Sequence, residues 1–338
     1  MLFFTLVHSL TALVCLGTLS NGATPKKKLI IDTDMFSDVD DTGALLLAST
    51  EPSVDLLAVN VNYPSSYSVL AVGSMLGHYG YSDVPIGSLR PIMNDTFFDD
   101  NTFENGEYAS KVSYHWGSQS SLAWGEADKA WDPVKLYRKV LAEQDDNSVT
   151  ISSIGFFDNL SGLLESTPDS YSDLSGHELA KKKVKELVIM GGQYPSGREF
   201  NFYGCSPSVT AHVVNNWPGR MVFSGHELGI NVMTAARFTV EGPKCDPSRA
   251  AYEWYSGYNK TRPGWDPLTT LYAIHGFGDL FEFGNDGGHN YVYANGSNVW
   301  LPESKEYPQH YLKLKVSDEK AGKVLDQLFI DGARQACQ

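Results

Sequence analysis

Apolar and polar positions along the chain follow two alternating rhythms. Short runs rich in β-branched and other apolar residues occur at 29–33, 56–61, 149–154, 186–190 and 221–224, which predicts strands. Between them, segments 41–49, 66–79, 133–143, 207–216 and 267–275 carry helical patterns, several opened by Pro or Ser. Strands that alternate with helices predict an α/β fold: one domain, with a mainly parallel open sheet flanked by helices. Ligands of such sheets sit beyond the carboxyl ends of the strands, so polar residues just after each predicted strand are the place to look for chemistry. No repeat, low-complexity tract or Pro/Gly/Ser linker divides residues 24–338.

The amino terminus breaks the rhythm. Residues 1–23 contain no Asp, Glu, Lys or Arg, and the apolar stretch 2–19 ends in small residues before Lys26-Lys27-Lys28. His8, Ser9 and three Thr interrupt the run, and Asn21-Gly22-Ala23 offers a small-residue exit. The pattern predicts a cleaved signal peptide over 1–23 and a secreted, extracellular protein; a membrane anchor is the alternative, since the run approaches the ~20 apolar residues that span a bilayer. Three cysteines then remain, Cys205, Cys245 and Cys337. An oxidising compartment favours one disulfide plus a buried thiol, with Cys245–Cys337 as the expected pair, because Cys205 falls close to the candidate site described below. Asn94, Asn259 and Asn295 each open a glycosylation triplet, whereas Asn159, which opens another, is expected to be buried.

Composition narrows the partners. The 338 residues include 26 Lys+Arg against 40 Asp+Glu, a formal charge of −14, which argues against a nucleic acid polymer as ligand. No second apolar run of spanning length exists, so no membrane partner is expected once the leader is gone. A chain that is 42% hydrophobic with 20% charged residues can bury a sizeable core.

The strongest chemical signal follows the first predicted strand. Asp32, Asp34, Asp38, Asp40 and Asp41 fall within ten residues, directly before the apolar helix start Gly43-Ala44-Leu45-Leu46-Leu47. Such repulsion calls for a counter-charge, and hard oxygen ligands this dense suit Ca²⁺ or Mg²⁺, with Ca²⁺ favoured by several carboxylates plus a backbone carbonyl. A solvated acidic loop with a capping Asp is the bland alternative. An EF-hand starting at Asp32 fails, because its sixth and twelfth places hold Ser37 and Gly43. A haloacid-dehalogenase-like phosphatase would use Asp32 as nucleophile; Phe36 at the fifth place weakens that reading, while Gly278-Asp279 and Asp286 could mimic its later acidic motif.

Four separated segments, in order, resemble the inosine–uridine-preferring nucleoside hydrolase family. They are the acidic cluster after Leu29–Ile31, then Ile154-Gly155-Phe156-Phe157-Asp158-Asn159-Leu160, then Met190-Gly191-Gly192 followed by Glu199-Phe200-Asn201, and last Arg262-Pro263-Gly264-Trp265-Asp266-Pro267-Leu268. The resemblance spans roughly residues 28–275 and leaves the last ~60 unanchored. It implies an enzyme that hydrolyses the N-glycosidic bond of ribonucleosides, releasing base and ribose. It also implies Ca²⁺ held by the carboxylates of Asp34, Asp41 and Asp266 and the carbonyl of Ile154. Asp34 would in addition be the catalytic base toward water, Asp40 would hold ribose hydroxyls, Asn201 the ribose and Glu199 the 5′ side. The family commonly assembles as homo-oligomers. These residue types suit the chemistry, because carboxylates near the ring stabilise an oxocarbenium-like sugar while a metal orients and acidifies water.

Departures from the family pattern matter as much. Trp265 stands where members with known acid catalysis have His; an indole can stack on a leaving base but cannot protonate it. The Gly-Asn pair after the second strand is replaced by Asn60-Val61-Asn62-Tyr63-Pro64-Ser65, so Asn62 is the candidate for a ribose 3′ contact, with Ser65 as the other choice. The Asp that opens the next helix in the family is replaced by Cys205-Ser206-Pro207, where Ser206 is expected to cap. His115 and His226 are the remaining polar candidates; no H-E-x-x-H, G-x-S-x-G or Walker pattern exists. Two alternatives stay open: a metal-dependent phosphohydrolase built on Asp32 and Asp34, and a catalytically inactive extracellular ribose- or nucleoside-binding protein.

Overall fold

The structure is a computed structural model, describing residues 25–36, 38–94, 105–303 and 305–338. The leader expected at 1–23 lies outside the described residues. Among those described, no helix is long and apolar enough to cross a membrane.

The chain is an α/β protein built on one eight-stranded sheet. In chain order the first five strands are β1 (Lys27–Thr33), β2 (Val54–Val61), β3 (Ile86–Ser88), β4 (Val149–Ile154) and β5 (Val184–Met190). Across the sheet the order is Phe281–Phe283, Gln309–Leu314, Met221–Ser224, β5, β4, β1, β2, β3. Every neighbouring pair is parallel except the first, where Phe281–Phe283 runs against Gln309–Leu314 at the edge. From β1 the chain crosses through helix α1 (Asp40–Thr50) to β2 on one side, while β4 and β5 lie on the other. The strand order therefore reverses at β1, and a crevice opens at the carboxyl ends of β1 and β4.

Alternation along each buried strand builds two cores, one on either face. Leu29 and Ile31 join the cluster that also holds α1, α2 (Ser66–His78) and the Trp265–His275 and Asp318–Ala336 helices, whereas Ile30 joins the cluster under Pro133–Ala142 and Pro207–Asn216. Val188 and Met190 against Leu187 and Ile189 repeat the division on β5. Helix α1 is buried nearly all round, because the Trp265–His275 and Asp318–Ala336 helices both pack on it.

All five strands read from the sequence are present. Three of them begin two residues earlier than expected. The last helix of the pattern also starts two residues early, at Trp265, since Pro267 is tolerated within a first turn. Ser206 occupies the N-cap position before Pro207 but makes no capping bond; its hydroxyl is turned to Asp158 instead. Cys245 and Cys337 form a disulfide that ties the end of the last helix to the start of Pro247–Tyr255. Cys205 is exposed, not buried as expected, because it lies on the turn between two short helices.

Candidate active site

β1 ends in Asp32-Thr33-Asp34, and the two Asp residues have opposite fates. Asp32 points into the helix layer and is fully buried; it accepts hydrogen bonds from the Tyr137 hydroxyl (2.6 Å), Asn62 Nδ2 (2.6 Å) and Asn159 Nδ2 (3.2 Å). Burial raises its carboxyl to about 7, although those three donors work the other way. Asp34 instead lines a cavity of about 310 Å³. Thr33 pairs with Ile154 across β1 and β4, which sets the carbonyl end of β4 beside Asp34. Gly155 permits this closeness: a Cβ there would stand 2.5 Å from the Asp34 nitrogen and 2.7 Å from both Asp34 Oδ1 and Asn62 Oδ1.

Five Asp carboxylates face this one cavity, Asp34, Asp38, Asp40, Asp41 and Asp266, with the Glu199 carboxylate on its opposite wall. Asp40 and Asp41 come from the first turn of α1, and Asp266 from the first turn of Trp265–His275, whose backbone N–H donates to Asp40 Oδ2 at 3.0 Å. Burial, then repulsion from the neighbouring carboxylates, pushes Asp40, Asp41 and Asp266 well above the usual carboxyl range. Asp38 behaves oppositely. Burial would raise it, but the Arg262 guanidinium, 2.5 Å away, and hydrogen bonds with Asp40 hold it low. The residues expected from the sequence, Asp34, Asp41, Asp266 and Ile154, all border the cavity. The tightest gathering among the described residues is a different trio, Asp38, Asp40 and Asp266, whose oxygens lie within 4.8 Å of one another.

The residues present fit a cation. Asp41 gives one oxygen to the Thr33 hydroxyl, while Oδ2 is buried without a hydrogen-bond partner among the described residues, a state that is costly for a carboxylate unless a positive charge meets it. The other donors are hard oxygens, as Ca²⁺ and Mg²⁺ require.

The opposite wall is built by the Met190-Gly191-Gly192 turn and the Glu199–Asn201 segment. Gly192 has φ +77°, and its N–H donates to Glu199 Oε2 at 3.0 Å, while the Asn201 N–H donates to Oε1 at 2.8 Å. Glu199 is raised to about 7 by burial, against the pull of those N–H groups. Asn201 Nδ2 bonds the Met190 carbonyl at 3.3 Å, which fixes its amide at the cavity wall. Trp265 closes the site: its indole N–H donates to the His226 carbonyl at 2.8 Å, and the two rings lie 5.6 Å apart at 30°. Burial lowers the His226 imidazole.

Not every candidate arrives here. Asn62 lies behind the cavity, where its amide bridges Asp32 and the Phe156 N–H (3.0 Å), and Ser65 accepts from Tyr67 N at the start of α2. His115 lines a separate cavity. Asp279 and Asp286 do not border the carboxylates. Arg262, Arg198 and Tyr203 do line the site and had no role assigned from sequence; an Arg opening the Arg262–Leu268 motif beside a surplus of Asp was the signal for the first.

A carboxylate-rich, cation-ready cleft at the switch point of a parallel sheet, facing a Glu/Asn wall, defines a hydrolase acting on a small polar substrate. The profile of the inosine-uridine preferring nucleoside hydrolase family matches residues 29–324, and the chain belongs to that family. It is thus a nucleoside N-ribohydrolase, which acts on small-molecule nucleosides with metal dependence as a family trait. Solved structures agree in fold. A plant nucleoside hydrolase is 18% identical (TM-score 0.63, covering 90% of this chain and 99% of that one). An inosine-uridine preferring nucleoside hydrolase from Bacillus anthracis is also 18% identical (0.62, 90% and 99%), and an inosine-guanosine nucleoside hydrolase is 17% identical (0.65, 91% and 98%). No curated protein matches significantly. The phosphohydrolase alternative falls on Asp32, whose oxygens are sealed away from the cavity by Tyr137, Asn62 and Asn159.

Proposed function

We propose that this chain is a secreted, Ca²⁺-dependent ribonucleoside hydrolase that releases free base and ribose from extracellular nucleosides. The observation that carries this reading is the meeting of five carboxylates with Glu199, Asn201 and Trp265 around one cavity. Asp34, Asp41, Asp266 and the Ile154 carbonyl would hold Ca²⁺, which when bound would supply orientation and acidification of water. Asp34 takes the proton of the attacking water at its carboxylate. Asp40 and Asn201 hold ribose hydroxyls, and their placement lets a carboxylate sit close to the ring as positive charge grows there. Glu199, poised near neutrality, exchanges hydrogen bonds with the 5′ hydroxyl as either acceptor or donor.

Trp265 offers the leaving base a surface and no proton, since its N–H is committed to the His226 carbonyl. Turnover therefore depends on bases that leave with little help, or on a donor other than Trp265.

The test is chromatographic release of base and ribose from a panel of purine and pyrimidine nucleosides, using metal-stripped protein with and without added Ca²⁺. Release restored by Ca²⁺ supports the reading. Unchanged turnover in chelator would remove the metal role, and tight nucleoside binding without any product would select the inactive binding protein.

A further inference from the structure

A second cavity, about 800 Å³, shares no lining residue with the acidic one; His115, Trp116, Val240, Lys244, Trp254 and Tyr258 border it. Its rings form a connected wall, with His115 and Trp254 centroids 5.7 Å apart and Trp116 and Trp254 6.2 Å apart. The Trp116 indole donates to the Cys245 carbonyl at 2.9 Å, beside the disulfide, which anchors the wall. The lining guanidinium of Arg249 is paired with Glu253 at 2.8 Å and donates to the Thr239 carbonyl at 2.6 Å, so the charge it brings is balanced in place. Lys244 adds a cation to the rim, and the Lys111 ammonium stands 5.5 Å from the Trp254 ring centre. Aromatic faces ringed by such donors suit a polyol, whose C–H faces pack on rings and whose hydroxyls meet the polar rim.

The cavity edge also carries a glycosylation triplet. Asn259-Lys260-Thr261 directly follows Tyr258, which is 57% exposed. Asn259 is itself exposed, on a left-handed turn (φ +56°), and its N–H donates to Thr239 Oγ1 at 3.0 Å. Tyr258 and Val240, the chain neighbours of these two residues, both line the cavity, so Asn259 is held at its rim.

We propose that Asn259 carries an N-linked glycan whose first sugars lie on the Trp116–Trp254–Tyr258 wall, so that the chain's own carbohydrate covers this aromatic surface. The proposal rests on the secretory reading of residues 1–23. A lipid-pyrophosphate-linked oligosaccharide in the secretory pathway is the donor: the bond from Asn259 Nδ2 to C1 of the sugar forms as the C1–O bond to pyrophosphate breaks, the amide loses one proton, and nothing is oxidised or reduced. The glycan covers the exposed Tyr258 ring and the half-buried Trp116 and Trp254 beside it.

The full precursor is expressed in a secreting yeast, and glycopeptides are followed by mass spectrometry during native endoglycosidase H digestion. The Asn259 glycan should be released about tenfold more slowly than the glycan on exposed Asn295, the scale expected of one or two ring contacts. Trp254→Ala and, separately, Tyr258→Ala should bring the two rates together, with thermal melts showing that each variant is folded. An occupied Asn295 beside an empty Asn259, equal release rates in the wild type, or slow release unmoved by both substitutions overturns the proposal while leaving secretion intact. Empty triplets at Asn94, Asn259 and Asn295 alike overturn the secretory reading and this proposal with it. Binding of free chitotriose by the glycosylated wild type, lost in Trp254→Ala, also overturns it, because the wall would then be open.

Discussion

Asp41→Asn should reverse the sign of its effect on stability depending on whether a cation is present. Asn keeps the shape and can still accept from the Thr33 hydroxyl, but it removes a charge whose second oxygen is buried with no hydrogen-bond partner among the described residues. In chelator at pH 8, burial and repulsion from Asp34, Asp38 and Asp40 make that charge a liability. A neighbouring carboxylate about 4 Å away costs on the order of 4 kcal/mol at an effective dielectric of ~20, and partial protonation recovers much of it. The substitution should therefore stabilise the metal-free chain by about 1–3 kcal/mol, or roughly 2–6 °C in melting temperature. In saturating Ca²⁺ the wild type gains about 2.7 kcal/mol at a hundred times the dissociation constant, and the variant forfeits most of this. The two melting curves should then cross over between chelator and Ca²⁺ in a fluorescence-detected thermal scan. At lower pH the chelator difference should shrink, because the raised carboxyl takes up its proton more fully as pH falls. A variant that melts below the wild type by the same margin with and without Ca²⁺ would refute the reasoning, since it would make Asp41 an ordinary structural residue.

Other consequences can be checked on the same protein. The native carboxyls of Asp32 and Glu199 are raised to about 7, and those of Asp40, Asp41 and Asp266 are raised too, so the folded chain holds more protons than the unfolded one between about pH 4 and 7. Chelator-treated protein should thus lose stability as pH rises through 7, and the stabilisation from Ca²⁺ should be larger at pH 8 than at pH 5; equal increments would contradict this. Trp265→Ala should weaken nucleoside binding by about 1–3 kcal/mol if the indole stacks on the base, whereas wild-type affinity in a variant destabilised by ~3–5 kcal/mol would make Trp265 a packing residue only. Trp265→His, which introduces a proton donor, should raise turnover most on poor leaving groups, by up to ~10²-fold, read from steady-state kinetics across the nucleoside panel. Asp32→Asn should cost about 1–3 kcal/mol of stability by disturbing its three hydrogen bonds, yet leave measurable nucleoside turnover; complete loss in a well-folded variant would place Asp32 in the chemistry.

Much of the fold was legible in the sequence because the central strands β1, β4 and β5 carry short runs rich in β-branched and apolar residues, and Asp34, Ile154 and Met190 fall at or just past their carboxyl ends. The outer strands Ile86–Ser88 and Phe281–Phe283 escaped notice, as three residues carry no period. The Asp318–Ala336 helix escaped for a different reason: its apolar stripe is clear only when the groove beside α1 is known to need filling. Among site residues, Asn62 shows the limit of spacing. It follows β2 as a ligand should, but one Asn amide can satisfy both Asp32 and the Phe156 N–H, and the fold uses it there. Arg262 was missed because a sequence does not reveal which of the clustered carboxylates a guanidinium more than two hundred residues away reaches, and the fold brings it to Asp38.

The Arg262–Asp38 pair bears on when the cation must arrive. A site made only of buried anions would keep its strands apart until an ion drew them together, and folding would then wait on supply. Here a guanidinium held within the chain offsets one of the five Asp charges at the outset, and Asp40, Asp41 and Asp266, all raised, can retain protons. The polypeptide can close its cavity first and load later, exchanging protons for the ion. Such a molecule is a ready receptacle: its abundance is set by synthesis and folding, while its activity follows the cation concentration around it.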